Sequence, residues 1–291
     1  MKLALIVNPA AGGGRARRAL AEVQQELTRL GLEHRAELTR GLDHARELAS
    51  VASAAGEVAV AFGGDGLVSA VAGALKYSDG VLGVLPGGRG NDLARTLGIS
   101  LQPRAACGVL ATGVVRSLDL CEVDGKTFIG IASCGFDSDA NRIANRARLV
   151  RGNLVYPYGA LRALITWRPA TFTVALDDEV RRTVTGYSVA AANSKAYGGG
   201  MLLAPDASLQ DGLLDVVIVS HTPKLRFLRL LPTVFSGAHV KQDNVEVLRG
   251  RIVQISASRP FTMYADGDPI AELPVTVRAL PGAVRAIVPA S

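Results

Sequence analysis

The chain of 291 residues has little cysteine and no long hydrophobic run. Its three cysteines, Cys107, Cys121 and Cys134, are odd in number and lack metal-ligand spacing, which argues against a disulfide framework and a metal-cysteine site. No apolar run approaches the roughly 18–20 residues of a membrane span, and the apolar N-terminus is too short for a signal peptide. We therefore expect a cytoplasmic protein.

Two common nucleotide-binding signatures are also missing. The tripeptide Gly125–Thr127 would end a P-loop only if Leu120 were glycine. The paired glycines near the N-terminus and near residue 90 would make a Rossmann fingerprint only with a third glycine, and Arg17 and Leu93 stand at those positions. Any nucleotide site must therefore be built in another way.

The net charge of +6 favours an anionic partner, such as a nucleotide, a nucleic acid or an acidic membrane face. No run of like charge forms an interaction tail, and basic residues are not interleaved with aromatic ones in the manner of nucleic-acid-binding proteins. We therefore expect no nucleic-acid partner.

Two patterns divide the chain near residue 120. In 1–120, short apolar strands alternate with helical periods, which predicts an α/β nucleotide-binding domain with a mostly parallel sheet. In 121–291, short β-branched segments bounded by turn residues predict an antiparallel β-sandwich or open barrel. We predict these two domains; whether the last residues pack back on the first domain stays open.

The predicted elements can be named individually. Strands of the first domain are expected at Lys2–Val7, Glu33–Leu38, Val58–Phe62 and Val81–Pro86, and its helices at Arg15–Leu30, Asp43–Ala54, Leu67–Leu75 and from Asn91. Strands of the second domain are expected at Phe128–Ser133, Thr171–Leu176, Ser188–Ala192, Leu214–Val219, Ile252–Ala257 and Val275–Leu280.

Three glycine-rich loops follow predicted strands, at Asn8–Gly14, Gly63–Gly66 and Pro86–Asn91. Ligands of open parallel sheets bind at the carboxyl ends of the strands, where glycine lets backbone N–H groups approach an anion. Asp65 and Asp92 would repel phosphate unless a cation such as magnesium lay between them. The loops therefore predict a magnesium–nucleotide site; the alternative is tight turns, with each aspartate a helix cap.

Six motifs together resemble the diacylglycerol kinase catalytic-domain family of bacterial lipid kinases, which includes sphingosine and ceramide kinases. They run through almost the whole chain in the family's order: Val7–Gly14, Gly63–Gly66, Leu85–Ile99, Tyr197–Pro205, Ser208–Val216 and Ala265–Ile270. The resemblance implies the fold shared by NAD kinases and diacylglycerol kinases, with a nucleotide cleft between an α/β domain and a β-rich domain.

The resemblance further implies an enzyme that uses ATP and Mg²⁺ to phosphorylate a lipid hydroxyl, with diacylglycerol as the expected substrate. The carboxylate after the late Asp-Gly, Asp268, would be the catalytic base. The implied ATP-binding residues are Asn8, Pro9, Ala10, Ala11, Gly12, Thr39, Gly63, Gly64, Asp65, Gly66, Leu67, Arg89 and Asn91. The implied magnesium ligands are Asp65 and Asp92 at the phosphates and, at a second magnesium, Asp211 with backbone oxygens of Ser208 and Leu213.

Three positions depart from the family's pattern. Leu67–Ala70 stands where the family commonly has Thr-x-Asn-Glu, so polar groups that could contact nucleotide are missing. Arg89 replaces a common threonine, and a cation there suits a neighbouring phosphate. Asp268 replaces the commoner glutamate; from the residues alone, its segment predicts a hairpin turn.

Arginines beside apolar residues indicate where a membrane could be contacted. One such segment joins Arg142, Arg146, Arg148 and Arg151 to the apolar stretch Leu154–Trp167, and another sets Lys224, Arg226 and Arg229 beside Phe227, Leu228 and Leu230. Such patterns suit peripheral contact with the anionic inner face of a membrane. The alternative is a helix packed on its own domain with its arginines reaching solvent.

Two other functions stay open from the sequence. An NAD kinase would share the motif Gly63–Gly66. A non-catalytic nucleotide or lipid sensor would explain the polar residues missing at Leu67–Ala70. A homodimer is also open.

Overall fold

The first domain is built on a parallel sheet in a computed structural model that describes residues 1–146, 155–177 and 180–290. Strands alternate with helices, as predicted. The elements are β1 (Lys2–Val7), α1 (Ala11–Arg29), β2 (Glu33–Leu38), α2 (Leu42–Ala54), β3 (Val58–Gly63), α3 (Asp65–Ala74), β4 (Val81–Pro86), α4 (Asp92–Thr96) and α5 (Pro103–Thr112).

The strand order β2-β1-β3-β4 places the candidate loops at one edge of this sheet. All neighbouring pairs in this row are parallel. The chain leaves β1 toward β2 on one side and leaves β3 toward β4 on the other, so the connections diverge between β1 and β3. Such a divergence opens the crevice in which ligands of α/β sheets bind.

The second domain is antiparallel, and the predicted fold class is confirmed. Its elements are β5 (Val114–Val123), β6 (Lys126–Phe128), β7 (Ile131–Gly135), α6 (Phe136–Arg146), α7 (Val155–Thr166), β8 (Ala170–Leu176), β9 (Val180–Ala192), β10 (Leu214–Ser220), α8 (Lys224–Leu230), β11 (Val245–Gly250), β12 (Ile252–Ala257), β13 (Thr262–Ala265), β14 (Asp268–Glu272) and β15 (Val275–Val288). Short 3-10 helices cover Leu231–Ser236 and Ala238–Lys241.

Strand β15 joins the two domains into one hydrogen-bonded sheet. Its first residues pair antiparallel with β12, and its final part runs parallel to β4, with Arg285 opposite Val81. Along most of its length it also pairs antiparallel with β5. The predicted domain boundary after residue 120 falls inside β5.

One predicted strand, Phe128–Ser133, is split in two. Strand β6 ends at Phe128 and β7 begins at Ile131, because the intervening N–H groups of Ile129 and Gly130 turn toward the carboxylate of Asp266. A local pattern could not indicate this break, since its cause lies more than 130 residues away along the chain.

Each domain has its own hydrophobic core. In the first, residues such as Leu5 and Phe62 are fully buried between the sheet and its helices. In the second, aromatic rings form the centre, and Phe227 of α8 stacks on Tyr187 with ring centroids 3.8 Å apart. This stacking fixes α8 to the sheet.

Candidate active site

The three glycine loops touch one another at the carboxyl edge of the parallel sheet. A Cβ atom on Gly12 would lie 2.5 Å from the carbonyl oxygen of Gly87, and one on Gly88 would lie 2.4 Å from the Cα atom of Gly64. The carbonyl of Gly63 accepts N–H groups from both Gly87 and Gly88. The glycines are therefore required first by close backbone packing among the loops.

Two asparagine side chains hold these loops in shape. Asn8 accepts the N–H of Ala10, and Asn91, in a left-handed conformation (φ 53°), bonds both the N–H and the carbonyl of Gly88. Asn91 is almost fully buried. Asn91, which the resemblance implied as an ATP-binding residue, thus already uses its side-chain amide within the loop.

Asp65 caps helix α4 from a neighbouring segment. Its Oδ1 atom accepts the N–H groups of Asp92 and Leu93 at 2.6 and 3.2 Å. This is the capping role that the sequence left as an alternative, supplied across 27 residues. Its second oxygen, Oδ2, lies 2.8 Å from the point that a Cβ on Gly90 would occupy, so a side chain there would fill this space.

Asp92 lies opposite Asp65 across the same space. Its Oδ2 atom is 2.9 Å from the same point beside Gly90. Burial is the main cause that raises the pKa of Asp92 to about 6, and the negative charge of Asp65 adds to it. Burial also raises the pKa of Asp65, against the effect of its backbone hydrogen bonds. Two carboxylates that resist ionisation side by side can bind a cation.

A loop of the second domain, Tyr197–Met201, closes on Asp92. The N–H of Gly199 donates to both carboxylate oxygens of Asp92, at 3.1 and 2.9 Å. Gly198, Gly199 and Gly200 all have positive φ angles, a conformation that glycine adopts without strain. The triple glycine signalled a special backbone, but not its contact with Asp92, so sequence reasoning missed Gly199 as a site residue.

The hairpin between β13 and β14 brings Asp268 to the second glycine loop. The turn consists of Asp266 and Gly267, both with positive φ angles. The Oδ2 atom of Asp268 lies 2.9 Å from the point that a Cβ on Gly66 would occupy. Although the side chain reaches solvent, partial burial raises the pKa of Asp268.

Asp266, two residues earlier, ties the two domains together. Its carboxylate accepts the N–H groups of Ile129, Gly130 and Ile131 and the hydroxyl of Ser69 on α3. All four side chains of Leu67–Ala70 are buried. The segment that departs from the family's pattern therefore packs into the interior, with the Leu67 side chain against Gly63 of the second glycine loop.

The other residues that the resemblance implied for ATP binding differ in how far they are exposed to solvent. Ala10 is exposed on the first loop, with Pro9 and Ala11 half-buried beside it, and Arg89 is exposed on the third loop. Thr39 is buried at the end of β2, where its hydroxyl bonds the backbone of Gly41.

The carboxylate of Asp211, which the resemblance implied as a ligand of a second magnesium, is bonded to other groups of the protein in this structure. One carboxylate oxygen of Asp211 is ion-paired with Arg249, and the other accepts the N–H of Leu213. The hydroxyl of Ser208 accepts the N–H of Gln210. Arg249 also bonds the buried Asp215 at 2.8 Å. Arg249 thus supplies the positive charge beside Asp211 in this structure, and a magnesium ion held by Asp211 with the backbone oxygens of Ser208 and Leu213 stays a prediction.

Within 1–146, 155–177 and 180–290, no three His, Cys, Asp or Glu side chains group closely enough to hold a metal ion. At Asp65 and Asp92, a cation would therefore need further ligands from water or phosphate, as magnesium usually has.

The first membrane-contact segment lies partly outside the described residues. Arg148, Arg151 and Leu154 fall in 147–154, whereas Lys224, Arg226 and Arg229 lie on α8. No helix in the described part of the chain is both long and apolar enough to cross a bilayer.

Comparison with known proteins supports the resemblance read from the motifs. Residues 2–123 match the family described as diacylglycerol kinase catalytic domain, and residues 130–288 match the YegS C-terminal NAD kinase beta sandwich-like domain. The chain is 36% identical over 235 residues to a diacylglycerol kinase of Mycobacterium tuberculosis, covering 78% of this chain and 75% of that protein. It is 32% identical over 234 residues to a probable lipid kinase YegS-like of Pseudomonas aeruginosa, covering 79% and 76%.

Solved structures confirm the fold. The chain superimposes on a diacylglycerol kinase from Bacillus anthracis with a TM-score of 0.73 at 19% identity, covering 99% of this chain and 96% of that one. A second structure from the same organism gives a TM-score of 0.81 at 21% identity, covering 99% and 97%.

Proposed function

Since the chain belongs to the diacylglycerol kinase catalytic-domain family, whose relatives here are named as lipid kinases, we propose that it transfers the γ-phosphoryl group of ATP to diacylglycerol. The product is phosphatidic acid. One observation carries this proposal: Asp65, Asp92 and Asp268 meet the three glycine loops at one edge of the parallel sheet.

The glycine loops supply the nucleotide site. Helix α3 begins at Asp65 directly after Gly64, and its N-terminal N–H groups give this end a positive potential that suits phosphate. Arg89 is exposed on the third loop and adds a full positive charge. The remaining contacts expected from Asn8–Gly12 and Gly63–Gly66 are backbone contacts, because these short loops present main-chain atoms.

Asp65 and Asp92 fit magnesium at the phosphates. Their Oδ2 atoms approach one point beside Gly90, and Asp65 Oδ2 faces that point while Oδ1 caps α4. Magnesium usually binds one or two carboxylates together with water and phosphate oxygens. When bound there, it would neutralise charge on the β- and γ-phosphates.

Asp268 acts as the base. Its raised pKa increases its affinity for a proton, and its position on an exposed turn leaves it open to a lipid hydroxyl. As the hydroxyl oxygen bonds the γ-phosphorus, the bond from that phosphorus to the β,γ-bridging oxygen breaks, ADP leaves and Asp268 takes the hydroxyl proton. General-base help of this kind typically contributes about 10²–10⁴-fold.

The departure at Leu67–Ala70 does not argue for a non-catalytic sensor. These side chains are buried, and the hydroxyl of Ser69 is bonded to Asp266. The segment that first suggested a sensor therefore has a structural role. The named relatives also favour a lipid acceptor over NAD.

The proposal is tested with radiolabelled ATP and a panel of acceptors: diacylglycerol, monoacylglycerol, ceramide, sphingosine and NAD. We expect labelled phosphatidic acid from diacylglycerol, with loss of product when EDTA removes divalent cations. Asp268→Asn should lower kcat by about 10²–10⁴-fold with a small change in the KM for ATP.

Glu272→Gln is the matched control, because Glu272 lies on the same β14 strand and its side chain bonds only the nearby Thr262 among described residues. It should retain activity. Label in NAD alone, or no labelled lipid, would contradict the proposed reaction. Full activity of Asp268→Asn would show that Asp268 is not the catalytic base.

A further inference from the structure

Helix α8 and the following 3-10 helix expose one continuous apolar stripe. Its residues recur at intervals of three or four, which places them on one side of consecutive helical turns. Leu225, Leu228 and Phe235 are 62%, 41% and 60% exposed. The docking stripe consists of the apolar residues Leu225, Leu228, Pro232 and Phe235, together with Arg229 on the same side.

The stripe belongs to a firmly held element. On the inner side of α8, Phe227 stacks on Tyr187 and contacts Phe136 edge-on, with ring centroids 4.9 Å apart. The carbonyl of Val234 accepts the N–H of Leu202 at 2.9 Å. The apolar residues therefore remain exposed although their helix is anchored on its other side. Single exposed apolar side chains are ordinary, but a contiguous set marks a contact surface.

A second helix end extends the apolar surface. The Lys224 ammonium donates to the carbonyl of Ile165 at 2.9 Å, which brings the end of α7 beside the start of α8. Ile165 is 69% exposed.

The charge around the stripe is positive. No acidic residue occurs in the sequence between Asp215 and Asp243. Arg226 is ion-paired with Asp243, but Lys224 and Arg229 have no carboxylate partner among the described residues. Apolar side chains flanked by these two cations match the surface of an anionic bilayer, where the cations meet headgroups and the apolar groups enter the acyl boundary.

The stripe also borders the candidate active site. Val234, next to Phe235, is bonded to Leu202. Leu202 directly follows the loop Tyr197–Met201, in which Gly199 donates to Asp92. A surface resting on α8 would thus lie beside the loop that closes on the candidate metal ligand.

We propose that this stripe docks the protein on an anionic lipid bilayer and so presents the active site to a substrate that stays in the membrane. The proposal rests on the proposed function for its substrate, but the docking itself requires no turnover. It predicts reversible peripheral binding, since a few partly inserted side chains and the two cations Lys224 and Arg229 give limited affinity.

The experiment is vesicle co-sedimentation of the full chain, without nucleotide, on vesicles of phosphatidylcholine with about 30% phosphatidylglycerol, whose negative surface potential attracts basic residues. The double variant Leu228→Ser with Phe235→Ser should bind at least about tenfold more weakly, because two apolar side chains no longer leave water. Arg229→Gln should weaken binding to these vesicles by about fivefold and leave binding to pure phosphatidylcholine unchanged.

The matched control carries Val51→Ser and Val247→Ser, two exposed apolar residues outside the stripe. It should bind vesicles like the unaltered chain. Since every substituted residue is exposed, the far-ultraviolet circular dichroism and Tm of both double variants should be unchanged. The stripe variant should also keep its rate on a short-chain, water-soluble diacylglycerol and lose rate only on vesicles.

Several results would overturn the proposal. The first is vesicle binding by the stripe variant that equals binding by the unaltered chain, and the second is no vesicle binding by the unaltered chain. The third is vesicle binding by the control variant that is weakened as much as binding by the stripe variant. A dimer in sedimentation velocity that dissociates in the stripe variant would assign the stripe to a second copy of the chain instead. Vesicle binding through the stripe by a protein inactive on every lipid would support the docking and contradict the proposed reaction alone.

Discussion

The carboxylate of Asp92 is needed for the proposed activity, but its negative charge lowers the stability of the fold. The residue is only 9% exposed, and its carboxylate lies between the third glycine loop and Gly199 of the second domain. Its pKa is raised from 3.8 to about 6, so folding binds protons in this range. Stability therefore falls as the pH rises through this interval, because the native state must then hold a poorly solvated charge. A cation beside Asp65 would relieve the same repulsion.

Replacing Asp92 with asparagine should stabilise the protein while removing activity. Asparagine can still accept the N–H of Gly199 but carries no charge. We expect the free energy of unfolding to increase by about 1–3 kcal/mol above pH 6 and the difference to vanish near pH 4. Urea unfolding at a series of pH values measures this. Asp124→Asn, on an exposed hairpin turn, is the control; a loss of stability at pH 7.5 in Asp92→Asn would refute the argument.

At the scale of elements, the glycine loops act as a packed unit. Gly87 and Gly88 bond Gly63, and Gly88 lies against the backbone of Gly64. From the sequence, we predicted that a ligand approaches the backbone of the three glycine loops closely. The structure shows that neighbouring loops are the nearest groups, and this arrangement sets the spacing of the edge where the phosphates are proposed to bind.

Gly88→Ala should therefore disturb two loops at once. Its Cβ would lie 2.4 Å from the Cα atom of Gly64, so backbone must shift. We expect a loss of about 1–3 kcal/mol in the free energy of unfolding, as for other overpacked sites, together with weaker ATP binding by calorimetry. Gly108→Ala, on α5 with no atom within 4 Å of its Cβ position, should be neutral or slightly stabilising. Equal effects of the two substitutions would contradict the packing argument.

The elements of the first domain were predictable because each signal is local. Strands β1, β2 and β4 have the predicted limits, since a short strand bounded by turn residues needs no distant information. The positions of Asp65 and Asp92 at one edge followed from the rule for parallel sheets. The contacts of Gly199 with Asp92 and of Arg249 with Asp211 could not be predicted, because each joins segments distant in the chain.

At the scale of the whole molecule, a backbone link and a side-chain link help to hold the domains in register, besides the contact of Gly199 with Asp92. Strand β15 pairs with β4 of the first domain through its backbone. Asp266 adds a side-chain link, since it gathers three N–H groups of the second domain and the hydroxyl of Ser69 on α3. Asp268 is two residues farther along the same hairpin, so this link also fixes the proposed base relative to the second glycine loop.

Ser69→Ala should weaken this link without disturbing either core. Asp266 would keep its three N–H donors and lose one hydrogen bond to α3, which typically costs about 0.5–1.5 kcal/mol. Because one carboxylate serves both domains, we expect a lower Tm, by about 2–4 °C per kcal/mol. We also expect kcat to fall while KM changes less, because the base becomes less well positioned.

The chain's single tryptophan, Trp167, makes the test domain-specific. It is buried in the core of the second domain, so its fluorescence reports that domain, whereas circular dichroism reports both. In the unaltered chain the two urea unfolding curves should coincide, and in Ser69→Ala they should separate, because the domains are less strongly coupled. Ser50→Ala, which loses only a hydrogen bond within α2, is the matched control. Coincident curves with an unchanged Tm in Ser69→Ala would show that the hydrogen bond from Ser69 to Asp266 does not couple the domains.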